Sequence, residues 1–445
     1  MKKLVCSLLL LGLSIGLHAQ DLVQKMDQLA GAYAASGKFN GTVLVAQKGR
    51  ILFEKGYGYR DAGTKTANDA ASIYQIGSLT KAFTAAIIMQ LQEEKKLNVQ
   101  DKLGKYFPGF INGDKITIEH LLTHTSGLYN YTNDTVLMKS DVTRHYSREE
   151  MVGIFQKYPP DFEPGMGWNY SNSGYSMLGY IIEKETKKPY EAVVRERILG
   201  PLGMQHSGFD FTHLRDANKT SGYFALAGDQ VLPAPIVDST IAYSAGSLYS
   251  TVEDLYKWER AITTGKLLKP ASWKAVFTPV KNNYGYGWGI DTLYGTAMTA
   301  HSGGIHGYSS FLLRFPTEEL TVIAIDNASH GTGKLARELA AIVLGKPYSI
   351  PALPATVQVD EARLKKFEGE YELAPGFTIT ISRKGQQLFG QATGQPAFEL
   401  FAESENKFYL KVVEAKVEFL TNGTGEVTEL ILHQNGMSPH GKKIK

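Results

Sequence analysis

The chain has 445 residues, a length that holds two or three domains at roughly 150 residues each. Hydrophobic residues make up 43% and charged residues 20%, which supplies an ordinary globular core and excludes wholesale disorder. A formal net charge of +3 gives no reason to expect a nucleic acid or an acidic membrane surface as partner.

Residues 1–19 read as a secretory leader. Lys2 and Lys3 form a short basic region, an apolar run extends from Leu4 to Leu17, and small Ala19 offers a cleavage point before Gln20 or Asp21. The run is shorter than the roughly 20 apolar residues of a membrane span, which favours cleavage over anchoring. No other segment is apolar for long enough to span, so the mature chain is expected to be secreted or periplasmic. Cys6, the single cysteine, falls inside the leader, leaving no thiol for a disulfide, a nucleophile or a cysteine metal site.

Residues from Asp21 to Ser36 have helical spacing, with Leu22, Met26, Leu29 and Tyr33 on one face. Two β-rich runs flanking Gln47-Lys48-Gly49-Arg50 predict a hairpin, with Gly49 suited to its turn. A helix is predicted from Ser78 to Glu94. Its run AFTAAIIMQL is apolar almost all round, which marks a helix at the centre of a domain. From Asp101 to Gly265 helices alternate with long loops, and Ser250-Thr251-Val252-Glu253 has the form of a capping box ahead of DLYKWERAI. After Pro279 come four β-like runs, YGYGWGIDTLY, GTAMTAHSGG, YSSFLLRF and ELTVIAIDN, and then a helix from Thr332 to Leu344. Strands from both ends with helices between them predict one sheet built from the two termini of a single domain, 20–349. A linker stiffened by Pro351 and Pro354 follows at 350–360. Residues 361–445 read as short strands and turns, a small all-β meander or barrel.

Three short patterns carry chemistry. Lysine is seldom fully buried unless paired or put to use, yet Lys81 lies in the apolar helix one turn beyond Ser78. Burial and the positive helix N-terminus both disfavour a charged amine, and a neutral one can take the serine proton. The bland alternative is an N-cap serine followed by a solvated lysine. In FEPGMGWNYSNSGYSMLGY, Tyr170 and Asn172 stand two apart and project the same way from an extended segment. The phenol could relay a proton and the amide could hold the lysine or a substrate amide. Alternatively Tyr170 and Trp168 are core aromatics and Asn172 caps the helix that follows. In AHSGGIHGYSS, glycine after His301 and Ser302 lets a substrate backbone lie against a strand edge. The backbone N–H of Gly304 could pair with that of Ser78 as an oxyanion hole; the alternative is a plain hairpin turn.

In this order, at spacings of about ninety and one hundred and thirty residues, the three patterns are far more specific than any alone. The chain resembles the serine β-lactamase and penicillin-binding-protein superfamily, in its class C-like branch, over residues 25 to 345. Ser78-Leu79-Thr80-Lys81 matches S-x-x-K and Tyr170-Ser171-Asn172 matches Y-x-N. His301-Ser302-Gly303 looks like the H-x-G form of the third motif, and LLTHTSGL, YSNSGYSMLGYIIE and PLGM also look like this branch. The resemblance implies an α/β fold, an antiparallel sheet flanked by helices beside a helical lobe. It also implies that Ser78 is acylated, that Lys81 and Tyr170 move the proton, and that Asn172 orients Lys81 and the substrate. The amides of Ser78 and Gly304 would hold the oxyanion, with His301, Ser302, Gly303 and Gly304 forming the substrate strand.

One departure is His301, which stands where carboxylate-binding members carry lysine. A neutral imidazole pulls less on a carboxylate than a fixed ammonium does. The expectation is a serine hydrolase acting on a small-molecule or peptide substrate: a β-lactam, an ester or a D-amino-acid peptide. No cofactor and no metal are implied. His120 and His124 have i, i+4 spacing but lack the glutamate of a zinc protease motif, and no G-x-S-x-G elbow is present. The rival reading is a sensor that is acylated by penicillin and does not turn over. The residues give no indication of oligomeric state.

Overall fold

The computed structural model describes residues 20–227, 230–351, 357–395, 397–410, 415–434 and 436–445, so residues 1–19, where a leader is expected, and residues 352–356 of the expected linker lie outside it. The described chain divides into two compact units at Ser349/Ile350, with Ala32–Lys38 and Ala225–Leu232 grouped with the smaller one.

Helix α1 (20–35), whose residues 20–31 belong to the larger unit, buries Met26, Leu29 and Tyr33 as its spacing predicts, with Leu22 partly exposed. Strands β1 (Gly41–Gln47) and β2 (Arg50–Tyr57) form the predicted hairpin. Lys48 and Gly49, at φ of +50° and +77°, make the two-residue turn whose twist suits antiparallel strands. Asp27 of α1 accepts hydrogen bonds from the Tyr57 hydroxyl at 2.6 Å and the Lys55 ammonium at 2.8 Å, which fastens helix to hairpin.

Four later strands complete the sheet: β3 (Gly289–Leu293), β4 (Thr296–Ile305), β5 (Tyr308–Phe315) and β6 (Leu320–Asp326). The order is β2-β1-β6-β5-β4-β3, antiparallel throughout. The register of β1 on β6 runs from Gly41 opposite Asp326 to Gln47 opposite Leu320. The two ends of the domain thus meet at the sheet centre. Every position of β6 is buried, as befits a strand covered on both faces.

Around the sheet and lobe lie α2 (Thr80–Glu93), α3 (Ile118–Leu122), α4 (Asn172–Thr186), α5 (Ser239–Gly246), α6 (Val252–Thr263) and α7 (Gly333–Val343). Helix α2 is buried without a break from Thr80 to Met89, the central helix its composition predicts. Helices α6 and α7 carry apolar stripes, Leu255-Trp258-Ile262 and Leu335-Leu339-Ile342, against β6.

Two local expectations are corrected. The cap of α6 is Thr251, whose hydroxyl accepts the Asp254 N–H at 3.1 Å; Ser250 instead pairs with the Ser207 hydroxyl at 2.8 Å. The Asp254 carboxylate is already held by Ser207 and Lys257, so no reciprocal box closes. The run YGYGWGIDTLY becomes a strand only at Gly289. Its first half is a turn, closed by Gly285 N–H on the Trp288 carbonyl at 2.9 Å and opened by Gly287 at φ +78°. That turn buries Tyr284, Tyr286 and Trp288.

In the smaller unit, α8 (Glu361–Phe367) precedes eight strands: β7 (Gly369–Ala374), β8 (Phe377–Lys384), β9 (Gln387–Ala392), β10 (Phe398–Ala402), β11 (Lys407–Tyr409), β12 (Ala415–Thr421), β13 (Val427–Gln434) and β14 (His440–Lys443). They form an antiparallel meander that closes when β14 returns to β7, which removes the sheet's free edges. Alternation fills it: Ala415, Val417 and Phe419 of β12 point inward, and Phe419 stacks on Phe367 of α8 at 4.2 Å. Among the described residues no helix is long and apolar enough to cross a membrane.

Candidate active site

Ser78 sits in a single 3₁₀ turn, Gly77–Leu79, that feeds directly into α2. The turn is pressed against β4. A Cβ on Gly77, which has φ +53°, would lie 2.7 Å from the Gly304 nitrogen, and one on Gly303 would lie 2.0 Å from the Ile76 carbonyl oxygen. Glycine at both places is what allows the backbone beside Ser78 to touch the backbone of β4. The turn is then fixed by hydrogen bonds to its own carbonyls: Ser310 hydroxyl to Ile76 at 2.7 Å and Thr80 hydroxyl to Gly77 at 2.7 Å.

Lys81 is fully buried, and its Nζ has three polar neighbours: Ser78 Oγ at 3.0 Å, Asn172 Oδ1 at 2.7 Å and the Ala245 carbonyl at 2.8 Å. Burial alone drives the amine well below the usual lysine range, with no carboxylate to oppose it. Amide and carbonyl oxygens can only accept. A neutral amine gives its two N–H groups to Asn172 and Ala245, and its lone pair is left facing the Ser78 hydroxyl. The rings of Tyr170 and Tyr175 close over it, with centroids 4.8 and 5.4 Å from Nζ. The Ala245 carbonyl is presented by a break inside α5, where Tyr243 adopts φ 38°, ψ −135°. The preceding Ser244 carbonyl is held by the Thr84 hydroxyl at 2.6 Å, one turn past Lys81 on α2. Strain of this kind persists only where the surroundings enforce it.

Tyr170 and Asn172 reach the site differently from the expected extended pair. Helix α4 begins at Asn172 itself, and its cap is Ser171, whose hydroxyl accepts the Gly174 N–H at 3.3 Å. Asn172 is therefore free of capping and can turn to Lys81. Its amide is oriented by Asn130, whose Oδ1 accepts from the Asn172 backbone N–H at 3.0 Å and from Nδ2 at 3.3 Å. Burial pushes the Tyr170 phenol up, and hydrogen bonding to Ser78 pulls it partly back. Tyr170 also packs on His124, ring centroids 4.3 Å apart. His124 lies past the end of α3 in a left-handed conformation, φ +61°. Its Nδ1 accepts the Ser171 N–H at 3.1 Å, while His120 caps α3 by accepting the Thr117 N–H at 3.3 Å. Each histidine serves a separate backbone group, and among the described residues no cluster of three or more ligating side chains forms.

The third motif lies on β4. Strand β3 pairs with β4 only as far as Ala300, while β5 pairs with it to Ile305. From His301 onward, one edge of β4 is without a strand partner among the described residues. Ser302 and Gly304 face solvent, whereas His301 and Gly303 turn inward. His301 Nδ1 lies 2.6 Å from the Ser302 carbonyl and Nε2 lies 2.8 Å from the Tyr284 hydroxyl. Burial pushes this imidazole down to about 4, so it is neutral at pH 7.

The structure thus gathers Ser78, Lys81 and Asn172 into one hydrogen-bonded cluster, with the Tyr170 ring packed over the amine, beside the His301–Gly304 strand. Sequence reasoning missed Asn130, the Ala245 carbonyl and Tyr284. Asn130 and Tyr284 lie in irregular segments whose patterns do not point inward. A backbone carbonyl has no sequence signature, although the polar Thr84 in an apolar helix hinted at a partner nearby.

Residues 20–345 match the family model described as Beta-lactamase, and residues 353–445 match a domain of unknown function. A Bacillus subtilis penicillin-binding protein is 30% identical over 92% of this chain and 96% of its own length. The octameric penicillin-binding protein homologue of Pyrococcus abyssi superposes with a TM-score of 0.67 at 25% identity, covering 94% of this chain and 100% of that one. A D-stereospecific amidohydrolase from a Streptomyces species superposes with a TM-score of 0.64 at 27% identity, covering 73% of this chain and 99% of that one. With the family model spanning most of its length, the chain belongs to the beta-lactamase family and is a serine hydrolase.

Proposed function

We propose that the protein is a secreted hydrolase that cleaves an amide or ester through an acyl-enzyme on Ser78. The observation that carries this reading is the Lys81 amine, 3.0 Å from Ser78 Oγ and otherwise bound only to obligate acceptors. As Ser78 Oγ attacks the carbonyl carbon, its proton passes to Lys81 Nζ. Tyr170 relays a proton to the departing nitrogen or oxygen. The same amine and phenol then take a proton from the water that releases the acyl group. The amides of Ser78 and Gly304 receive the developing oxyanion, and the acyl donor lies along the unpaired edge of β4 from His301 to Gly304. Similarity to a D-stereospecific amidohydrolase and to penicillin-binding proteins supports D-configured amides and peptides as the substrate class.

The test is covalent labelling with a fluorophosphonate, followed by a panel of nitrocefin, p-nitrophenyl esters and D-alanine peptides. Wild type should label at Ser78 and turn over at least one panel member. Ser78→Ala should do neither while keeping its thermal transition. Turnover retained in Ser78→Ala rejects the mechanism.

A further inference from the structure

The acyl-enzyme reading leaves open what lies beyond the scissile bond, and Tyr284 bears on that. We propose that Tyr284 is a specificity-determining residue that locks His301 so that it offers no hydrogen to a substrate carboxylate. The site therefore prefers leaving groups without a free carboxylate, such as carboxamides and alkyl esters. This rests on the acyl-enzyme reading above.

The lock follows from which atoms can donate. The Ser302 carbonyl, 2.6 Å from His301 Nδ1, can only accept, so Nδ1 carries the ring hydrogen. Nε2 of the neutral ring is then a bare lone pair, and the Tyr284 hydroxyl donates to it at 2.8 Å. The reverse arrangement would put the Nδ1 lone pair against the Ser302 oxygen at 2.6 Å, two acceptors face to face. Tyr284 is buried in a turn between His124 and Trp168, at centroid distances of 4.7 and 6.2 Å. Burial also pushes its phenol well above the ordinary range, so it remains a donor at any physiological pH.

The nearby cations do not make up the loss, and His124 Nε2, an imidazole nitrogen without a partner among the described residues, is fully buried behind Tyr170 and Tyr284. Lys81 is engaged by three oxygens, and His124 Nδ1 is occupied by the Ser171 N–H. Lys281, three residues before Tyr284, donates to the Met166 carbonyl at 2.8 Å. A carboxylate brought to the inward side of β4 would lose water and meet no free donor from His301, whereas a carboxamide or ester carries no charge to desolvate. Specificity here works by leaving the wrong partner unpaired.

The experiment uses the full chain and a matched pair, N-acetyl-D-alanyl-D-alanine and its C-terminal carboxamide. Wild type should show kcat/KM at least tenfold higher for the carboxamide. In Tyr284→Phe the freed Nε2 lone pair can be protonated, giving an imidazolium that keeps its Nδ1–H on Ser302 and can pair with a carboxylate, and the ratio should move at least fivefold toward the carboxylate. A purely structural role would lower both members alike and leave the ratio fixed. Nitrogen NMR of labelled histidine, with His301 assigned through His301→Gln, should show the Nδ1–H form in wild type and a change in Tyr284→Phe. A wild-type preference for the carboxylate, an unmoved ratio or an Nε2–H ring overturns the proposal. Failure of Ser78 to label would reject the acyl-enzyme reading instead, and the tautomer measurement still decides the lock.

Discussion

Replacing His301 by Gln should change how stability depends on pH, by an amount the structure sets. The folded protein holds this imidazole neutral down to about pH 4, whereas an unfolded chain protonates it near the ordinary histidine value of 6.5. A folded value below the unfolded one means that the unfolded state binds the extra proton first, so stability falls as pH drops from 6.5 toward 4. Converting the interval, the loss is about 2 kcal/mol at pH 5 and about 3 kcal/mol at pH 4, relative to pH 8. Glutamine cannot titrate, and its Oε1 can still accept from Tyr284. The difference in unfolding free energy between wild type and His301→Gln should therefore shift by about 2 kcal/mol between pH 8 and pH 5. Urea titrations followed by tryptophan fluorescence give this directly, because all four tryptophans, Trp168, Trp258, Trp273 and Trp288, lie in the hydrolase unit. A difference that stays flat within about 0.5 kcal/mol across that range would mean that His301 takes up its proton as readily in the native protein as in the unfolded chain. The neutral-ring argument would then fail.

Lys81→Met should cut turnover by roughly 10²–10⁴-fold while moving the thermal transition little. It forfeits three hydrogen bonds of about 1 kcal/mol each but also removes a buried amine, and the double variant with Ser78→Ala should be no worse than Ser78→Ala alone. Because the neutral amine is the active form and burial lowers it, kcat/KM should rise with pH through an acid limb absent from any residual activity of Lys81→Met. Asn130→Ala strands the Asn172 backbone N–H at a cost of about 1–3 kcal/mol, and should slow Ser78 labelling by roughly 10²-fold as the Asn172 amide drifts. Gly77→Ala should abolish labelling, because its Cβ meets the Gly304 nitrogen at 2.7 Å. Gly345→Ala, at φ +64° with nothing within 4 Å, carries only the backbone cost of about 1–2 kcal/mol and should label normally.

The parts legible in the sequence were those with a period or a fixed local spacing. The all-round apolar character of α2, the hairpin turn at Lys48-Gly49 and the alternation in β12 each follow from residues within a few positions of one another. Ser78 and Lys81 were readable because one helical turn sets their separation. What escaped were groups that act across the fold. Tyr284 sat in an aromatic-glycine run that alternates like a strand, yet Gly287 at positive φ turns it into a loop and aims the phenol at His301. The α6 cap slipped by one residue because Ser250 had a better partner in Ser207, more than forty positions away. His301 was placed on the right strand, but its inward orientation depends on where β3 stops pairing.

The pairing of β1 with β6 has a consequence for how the protein comes into being. Gly41 finds Asp326 only after the intervening helices and loops have been synthesised, so the central seam of the sheet is among the most sequence-distant contacts in the domain. A nascent chain that stops short of Leu320 presents the β1 hairpin with an open, apolar inner edge and nothing to zip against it. Until that last strand emerges, chaperones must shield the edge, and a premature stop codon in this region should yield aggregates rather than a smaller folded enzyme.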